Sequence, residues 1–418
     1  MKRITLPEQG TEWPELSRRM SEMAKGDTDW RGGKVPLFVF KATDGVQEVG
    51  QAAFNQFFSE NALGAKRAFQ SLKRMEDDVI AMALDLFRAP GQATGHMTSG
   101  GSESIFLAVK AAREYHRALH GRGRTLNMVL PESAHPAFEK AAITMDIDVR
   151  RRPLRADRRA DPATIASAVD QDTMLIVGSA PCFPFGVIDP IAELSELALA
   201  QGLWLHVDAC VGGYVLPFAR ANGVALPVCD MSLAGVRSLS ADLHKFGFCP
   251  KPASTVFFRD PEDMARNAFD LDVWANGRFV TQTLVGTRPG GGVAGAWAVM
   301  NHLGHAGYRA IAADLISNAQ AYADGIRAIP GLKLHAEPDL TIISFGSDDV
   351  DIFSVAEGMA VKGWLPGLTQ QPKGMHLMLS MLHAPARPAW LSDLAGVMET
   401  VRDSRDAKAA PSELKASY

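Results

Sequence analysis

Between Leu126 and Phe258 short apolar runs alternate with stretches of helical periodicity, and no other feature constrains the fold as tightly. TLNMVLP, DTMLIVGSA, GLWLHVDAC and ASTVFFRD read as buried strands, with helices between several of them. Strands without a wet face belong to a mainly parallel sheet covered by helices on both faces, so the expected class is α/β. Upstream, Phe69, Leu72, Met75, Val79 and Met82 predict a helix from about Ala65 to Leu86. Downstream of the glycines at Gly290–Gly292 the texture changes. Helical stretches (Ala294–His302, then Ile311–Ile329) lead to LKLHAEPDLTIISFGS and GMHLMLSMLH, which read as strands of a smaller α+β unit.

The 418 residues exceed one ordinary domain. The expected division is an N-terminal segment 1–65, a large ligand-binding domain 66–293 and a small C-terminal domain 294–418. The first 30 or so residues are polar, forming an arm or a short helix, and a polar, frayed tail is expected from about Ser404. A net charge of −4 gives no reason to expect nucleic acid or an anionic membrane as partner. Cys182, Cys210, Cys229 and Cys249 have neither CxxC pairing nor zinc-ligand spacing, so no metal is expected. There is no signal-peptide core and no run of about 20 apolar residues, and a reducing cytoplasm is the expected location.

Four segments carry chemistry. In HMTSGGSESIFLAVKAAREYHRAL, Gly100, Gly101 and Ser102 precede an amphipathic helix; a glycine turn at a helix start attracts phosphate, although a tight turn with Ser102 as N-cap is the plainer alternative. In PESAHPAFEKAA, His135 begins a helix, where it serves either to stack on an aromatic ligand or merely as a cap. GLWLHVDACVGGY puts Asp208 at the carboxyl end of a strand, where open α/β sheets bind ligands. A pyridine cofactor needs such a carboxylate to keep its ring nitrogen protonated; capping of the next helix is the alternative. In SLSADLHKFGFCPKPASTVFF, Lys245 lies among small, aromatic and apolar residues, which are expected to lower its pKa and suit it to a Schiff base. Lys251 competes for that role, but Pro250 and Pro252 flank it. Each signal alone is ordinary. Their order is specific, with the carboxylate 37 positions before the lysine (208 to 245).

This arrangement resembles fold-type I pyridoxal-phosphate enzymes, in the group that includes the amino-acid decarboxylases. MTSGGSES, SAHPAFEKAA, HVDACVGGY, SADLHKFGFCPK, GTRPGG, KGW at Lys362–Trp364 and MLHAPAR at Met381–Arg387 more closely resemble the sphingosine-1-phosphate lyase family, over roughly residues 30–400. The resemblance implies pyridoxal 5'-phosphate as cofactor, with Lys245 as Schiff-base lysine, Asp208 as pyridinium partner and His135 as stacking ring. It implies phosphate contacts from Gly101, Ser102 and His244, and a second lysine, Lys251, near the substrate. It also implies an intertwined homodimer with a shared active site, in which Gly286–Arg288, and so Thr287, reaches the partner's cofactor phosphate. The implied reaction is retro-aldol cleavage of a phosphorylated long-chain amino alcohol to an aldehyde and phosphoethanolamine.

Three positions depart from that pattern. Phe40 and Phe183 stand where the family usually has tyrosines, and Gly64 where it usually has a histidine, removing groups that bind phosphate or move protons. An amino-acid decarboxylase on the same scaffold is therefore the alternative activity. A non-catalytic paralogue is disfavoured by the intact Lys245, Asp208 and His135. RRRPLRADRR, Arg150–Arg159, reads as a solvated loop or as an attractor of anionic ligands.

Overall fold

Alternate side chains of the central strands enter two different cores, which is why these strands read as uninterrupted apolar runs. Along Thr173–Ser179, Leu175 and Val177 join one hydrophobic cluster and Ile176 the other. The first cluster is completed by the helix Gly101–His120 with Ala137–Met145, and the second by Gln70–Leu86 with Ile191–Gln201. Helices thus cover both faces. The computed structural model describes residues 3–406.

The main sheet comprises β1 (Thr94–Thr98), β2 (Leu126–Pro131), β3 (Ile147–Arg152), β4 (Thr173–Ser179), β5 (Trp204–Asp208), β6 (Val236–Ala241) and β7 (Ser254–Phe258). Their order in space is β1-β7-β6-β5-β4-β2-β3. β3, β2, β4, β5 and β6 are parallel, and β7 pairs antiparallel with β6 and β1. A hairpin follows, β8 (Phe269–Leu271) with β9 (Phe279–Thr281). A second, antiparallel sheet has the order β10-β11-β13-β12, from β10 (Leu332–Leu334), β11 (Ile342–Ser347), β12 (Gly367–Gln370) and β13 (Lys373–Met378).

Several boundaries differ from those read in the sequence. The helix expected from Ala65 begins at Gln70, after a short 3-10 turn at Ala62–Gly64. The two downstream helical stretches join in Gly290–Ala328, interrupted at Gly304, whose φ of 52° breaks the helical path. The helix His383–Asp406 runs through Ser404, and the rest of the expected polar tail lies outside the described residues. Among the described residues no helix is long and apolar enough to cross a membrane.

The topology positions the site. β2, β4, β5 and β6 are adjacent and parallel, so the segments leaving their carboxyl ends converge on one rim. Chain direction across the sheet reverses between β2 and β4, the crevice where such sheets hold ligands. Under that rim His206 is fully buried, its ring nitrogens 2.8 Å from Ser238 Oγ and 3.1 Å from Ser240 Oγ. Burial lowers its pKa from 6.5 to about 4. The unfolded chain therefore takes up a proton that the folded chain refuses, and stability present above pH 6.5 is lost as the pH falls toward 4. One such group gives a slope of about 1.4 kcal/mol per pH unit. His206→Gln is expected to flatten the acid limb of a denaturation free-energy profile by about that slope. An unaltered limb would show that other groups set it.

Candidate active site

Lys245 follows β6, and its Nζ lies 2.9 Å from Asp242 Oδ2, a carboxylate one turn earlier in the chain. Burial opposes the charge on Lys245, but Asp242 more than offsets it, and the pKa is raised. This corrects the lowered pKa expected from its apolar neighbours in sequence. Asp242 itself is held low: burial opposes its charge, but Lys245 and His244 outweigh it.

Asp208 ends β5 and is buried, its Oδ1 accepting from Cys210 N (3.1 Å) and Ser240 Oγ (3.4 Å). His135 leaves β2 two residues before the helix Ala137–Met145, rather than beginning it. Its Nδ1 accepts from Ala137 N at 3.1 Å, and burial lowers its pKa, so the ring is neutral with Nε2 carrying the proton. His244 Nδ1 likewise accepts from Ala253 N (3.1 Å), and burial lowers its pKa. Gly100, not Ser102, is the N-cap residue of Gly101–His120, so Ser102 is not the cap that its position allowed. At Gly101 a Cβ would come within 2.7 Å of Cys210 Sγ and 2.9 Å of Asp242 Oδ2, so only glycine fits this turn.

These residues enclose a cavity of about 380 Å³, whose wall includes Gly101, Ser102, His135, Asp208, His244 and Lys245. It has what pyridoxal phosphate requires: backbone N–H groups at a helix start for the phosphate, a buried carboxylate for the ring nitrogen, and an amine for the aldehyde carbon. Asp242 Oδ1 is also buried there without a hydrogen-bond partner. The residues fit the cofactor.

A second cavity, of about 680 Å³, shares His135, Phe183 and Lys245 with the first. Phe183 sits edge-on to His135, with ring centroids 6.1 Å apart, and Phe40 edge-on to Phe246 at 5.1 Å. Both line this larger space. Three sequence-selected residues are not brought into either wall. Lys251 Nζ donates to Phe38 O at 2.8 Å, and burial lowers its pKa. Thr287 Oγ1 instead accepts from Asn61 Nδ2 (3.3 Å), and Gly64 faces the ring of Phe69.

Three functional supports escaped sequence reading. Asp242 is one. Glu103 is the second: its carboxylate accepts from Ser99 N and Oγ (both 2.7 Å) and from Leu284 N (2.8 Å), tying the glycine turn to the segment before Thr287. Arg151 is the third. It donates to the carbonyls of Pro131 (3.1 Å), Glu132 (2.7 Å) and Ala134 (3.0 Å) and forks onto Glu139, clamping the turn that delivers His135. Only the spacing of Asp242, three positions before Lys245, offered a sequence signal.

The family described as Pyridoxal-dependent decarboxylase conserved domain matches residues 67–347, and the chain is a pyridoxal-phosphate-dependent lyase of that group. Within it, the chain belongs to the sphingosine-1-phosphate lyase family. It is 39% identical over 396 residues to the sphingosine-1-phosphate lyase of Arabidopsis thaliana, covering 93% of this chain and 72% of that one. The mouse sphingosine-1-phosphate lyase 1 is 33% identical over 398 residues, covering 95% and 69%. A solved sphingosine-1-phosphate lyase of Burkholderia pseudomallei superposes with a TM-score of 0.92 at 33% identity, over 97% of this chain and 95% of that one. A glutamate decarboxylase of Lactobacillus brevis, 19% identical, shares the fold with a TM-score of 0.84 over 96% of both chains.

Proposed function

We propose that the chain cleaves the Cα–Cβ bond of a phosphorylated long-chain 2-amino-3-hydroxy base, releasing an aldehyde and phosphoethanolamine. The observation that supports this is the junction of the two cavities. The space around Lys245 shares His135, Phe183 and Lys245 with a larger one, whose mostly apolar wall suits a substrate's apolar body.

Pyridoxal phosphate, when bound, supplies the sink for the electron pair of the broken bond. The chain's residues do the rest. Asp208 would hold a proton at the pyridine nitrogen, and the turn at Gly101 and Ser102, with His244, would bind the phosphate. The neutral ring of His135, whose turn Arg151 holds through the Ala134 carbonyl (3.0 Å), would orient the cofactor by stacking. Lys245 would hold the cofactor and, with its amine free, would take the proton of the substrate's β-hydroxyl as the bond breaks and return it to Cα. Asp242 would keep it charged between those two transfers. The mostly apolar wall of the larger cavity would limit water around the reacting bond.

We assign the working form to a homodimer. The N-terminal helix Trp13–Met23 repeats Trp13, Leu16, Met20 and Met23 along one face, and none of its residues is buried. A partner subunit covering that face, and taking Thr287 at its own cofactor phosphate, fits both the exposed face and the distance of Thr287 from its own cavity. Four free, buried cysteines accord with a reducing cytoplasm.

Decarboxylation of an amino acid is the second reading, favoured by the phenylalanines at Phe40 and Phe183 and by the engagement of Lys251 with a carbonyl. Mass spectrometry of products from phosphorylated and unphosphorylated long-chain bases and from amino acids separates the two. Aldehyde with phosphoethanolamine is expected. Carbon dioxide with an intact Cα–Cβ bond would establish the decarboxylase, and turnover of no amine would leave a regulatory paralogue. Phe40→Tyr, Gly64→His and Phe183→Tyr together are expected to raise kcat/KM for the phosphorylated base more than for the unphosphorylated one.

A further inference from the structure

Phe183 lines both cavities, and its ring meets two imidazoles. It stands edge-on to His135, with ring centroids 6.1 Å apart, and edge-on to His376, at 4.9 Å. His376 is buried in β13 of the second sheet, where it pairs with Ser344 of β11. Its ring also reaches the backbone carbonyls of Phe183 and Pro184, to which it donates. Burial lowers its pKa from 6.5 to about 4, so the ring is neutral and has a single N–H for those carbonyls. It lines the larger cavity and not the wall around Asp208, so its part in the chemistry is indirect.

The loop that follows β4 and carries Phe183 has other anchors. Asp339, which precedes β11, accepts from Ile188 N (2.6 Å) and takes the fork of Arg159 (2.7 and 3.0 Å). Its own N–H donates to Gly186 O (3.2 Å). At Gly186 a Cβ would come within 2.2 Å of Ile342 O, so only glycine lets the loop lie this close to β11. These contacts fix the course of the loop without His376. They leave open the orientation of the Phe183 ring, which is half-buried and borders two cavities. Such a ring lacks the close packing that fixes a rotamer in a core.

We propose that His376 is a positioning residue: it holds the peptide and ring of Phe183, and through that ring keeps His135 in the orientation that stacks on the cofactor. A group that must lie against a flat cofactor has to be held to within about 0.5 Å, which takes supporting side chains whose own conformations are locked. Ala137 N holds His135 at Nδ1 (3.1 Å), and the edge contact of Phe183 bears on the ring itself. The inference rests on the reading of His135 as the stacking ring, and not on which bond of the substrate breaks.

Equilibrium dialysis of the holoenzyme against graded pyridoxal phosphate, with the induced circular dichroism of the bound cofactor, tests it without any substrate. His376→Leu is expected to raise the cofactor Kd about two- to tenfold, the scale of one edge-on aromatic contact, and to weaken the induced signal. His376→Gln, whose amide can still donate to the Phe183 carbonyl, should restore both. Phe183→Ala should raise the Kd to a similar degree, and adding His376→Leu to it should change nothing more, because His376 acts through Phe183. Three results would each sink the proposal: wild-type Kd and signal in His376→Leu, a His376→Gln protein as impaired as His376→Leu, or single effects that multiply in the double variant. The last is what a merely structural histidine gives. His135→Ala separates the two ideas. If it weakens cofactor binding and the induced signal while His376→Leu does not, the positioning role falls and the stacking reading stands. If it changes neither, the stacking reading falls and the positioning role with it.

Discussion

Lys245→Ala is expected to lower turnover by at least about 10³-fold, the scale seen when the nucleophile of a covalent mechanism is removed. It should also abolish any cofactor fixed to the protein by borohydride. Lys251 is a poor substitute, since its ammonium is turned to the Phe38 carbonyl and it lines neither cavity. The variant carries a second, measurable consequence. Lys245 is the main charge holding Asp242 ionised in a buried place, and removing one member of a buried pair costs about 3–5 kcal/mol against a total stability of about 5–15 kcal/mol. The chain should remain folded with a lower melting temperature. Without Lys245 the carboxyl of Asp242 rises in pKa, and a protonated Asp242 no longer carries the penalty, so the loss should be smaller at pH 5 than at pH 8. Lys245→Ala with Asp242→Asn should recover the stability and none of the activity. Peptide mapping that found the reduced cofactor on Lys251 would overturn the assignment.

That pair also marks how far the sequence could be read. β2, β4, β5 and β7 were legible because strands buried on both faces leave continuous apolar runs, and the order of His135, Asp208 and Lys245 was legible because they follow β2, β5 and β6 of one parallel run. What escaped was decided by the folded neighbourhood. The residues flanking Lys245 argue for a lowered pKa, whereas Asp242, a turn earlier in the chain, brings its carboxylate to Nζ and reverses the sign. Glu103 looks like an ordinary first-turn acid of a helix, and its partner Leu284 is remote in sequence. Arg151 is one of six arginines with nothing local to separate the clamp from its neighbours. Gly64 and Thr287 carry family signals, yet they lie outside the walls around Lys245, where they pack against Phe69 and Asn61 instead.

Asp208→Asn should retain cofactor and lose turnover by about 10²–10⁴-fold, the scale of a misplaced proton or a lost charge at a reacting centre. The substitution isolates charge from shape. Asp208 Oδ1 accepts from Cys210 N and Ser240 Oγ, and an amide oxygen can accept both in the same orientation. An amide cannot counterbalance a protonated pyridine nitrogen, so the ring becomes a poorer electron sink. The defect should therefore fall on kcat, with substrate KM and the cofactor's attachment to Lys245 little changed. His206 is no replacement. It lies beneath the carboxylate, both ring nitrogens are taken by Ser238 and Ser240, and burial holds its pKa at about 4. Ser240 joins the two, touching His206 Nε2 on one side and Asp208 Oδ1 on the other, so Ser240→Ala should produce a milder form of the same kcat defect by loosening the carboxylate. Near-normal turnover in Asp208→Asn would mean that a different group keeps the ring nitrogen protonated, and the end of β5 would lose its part in the chemistry.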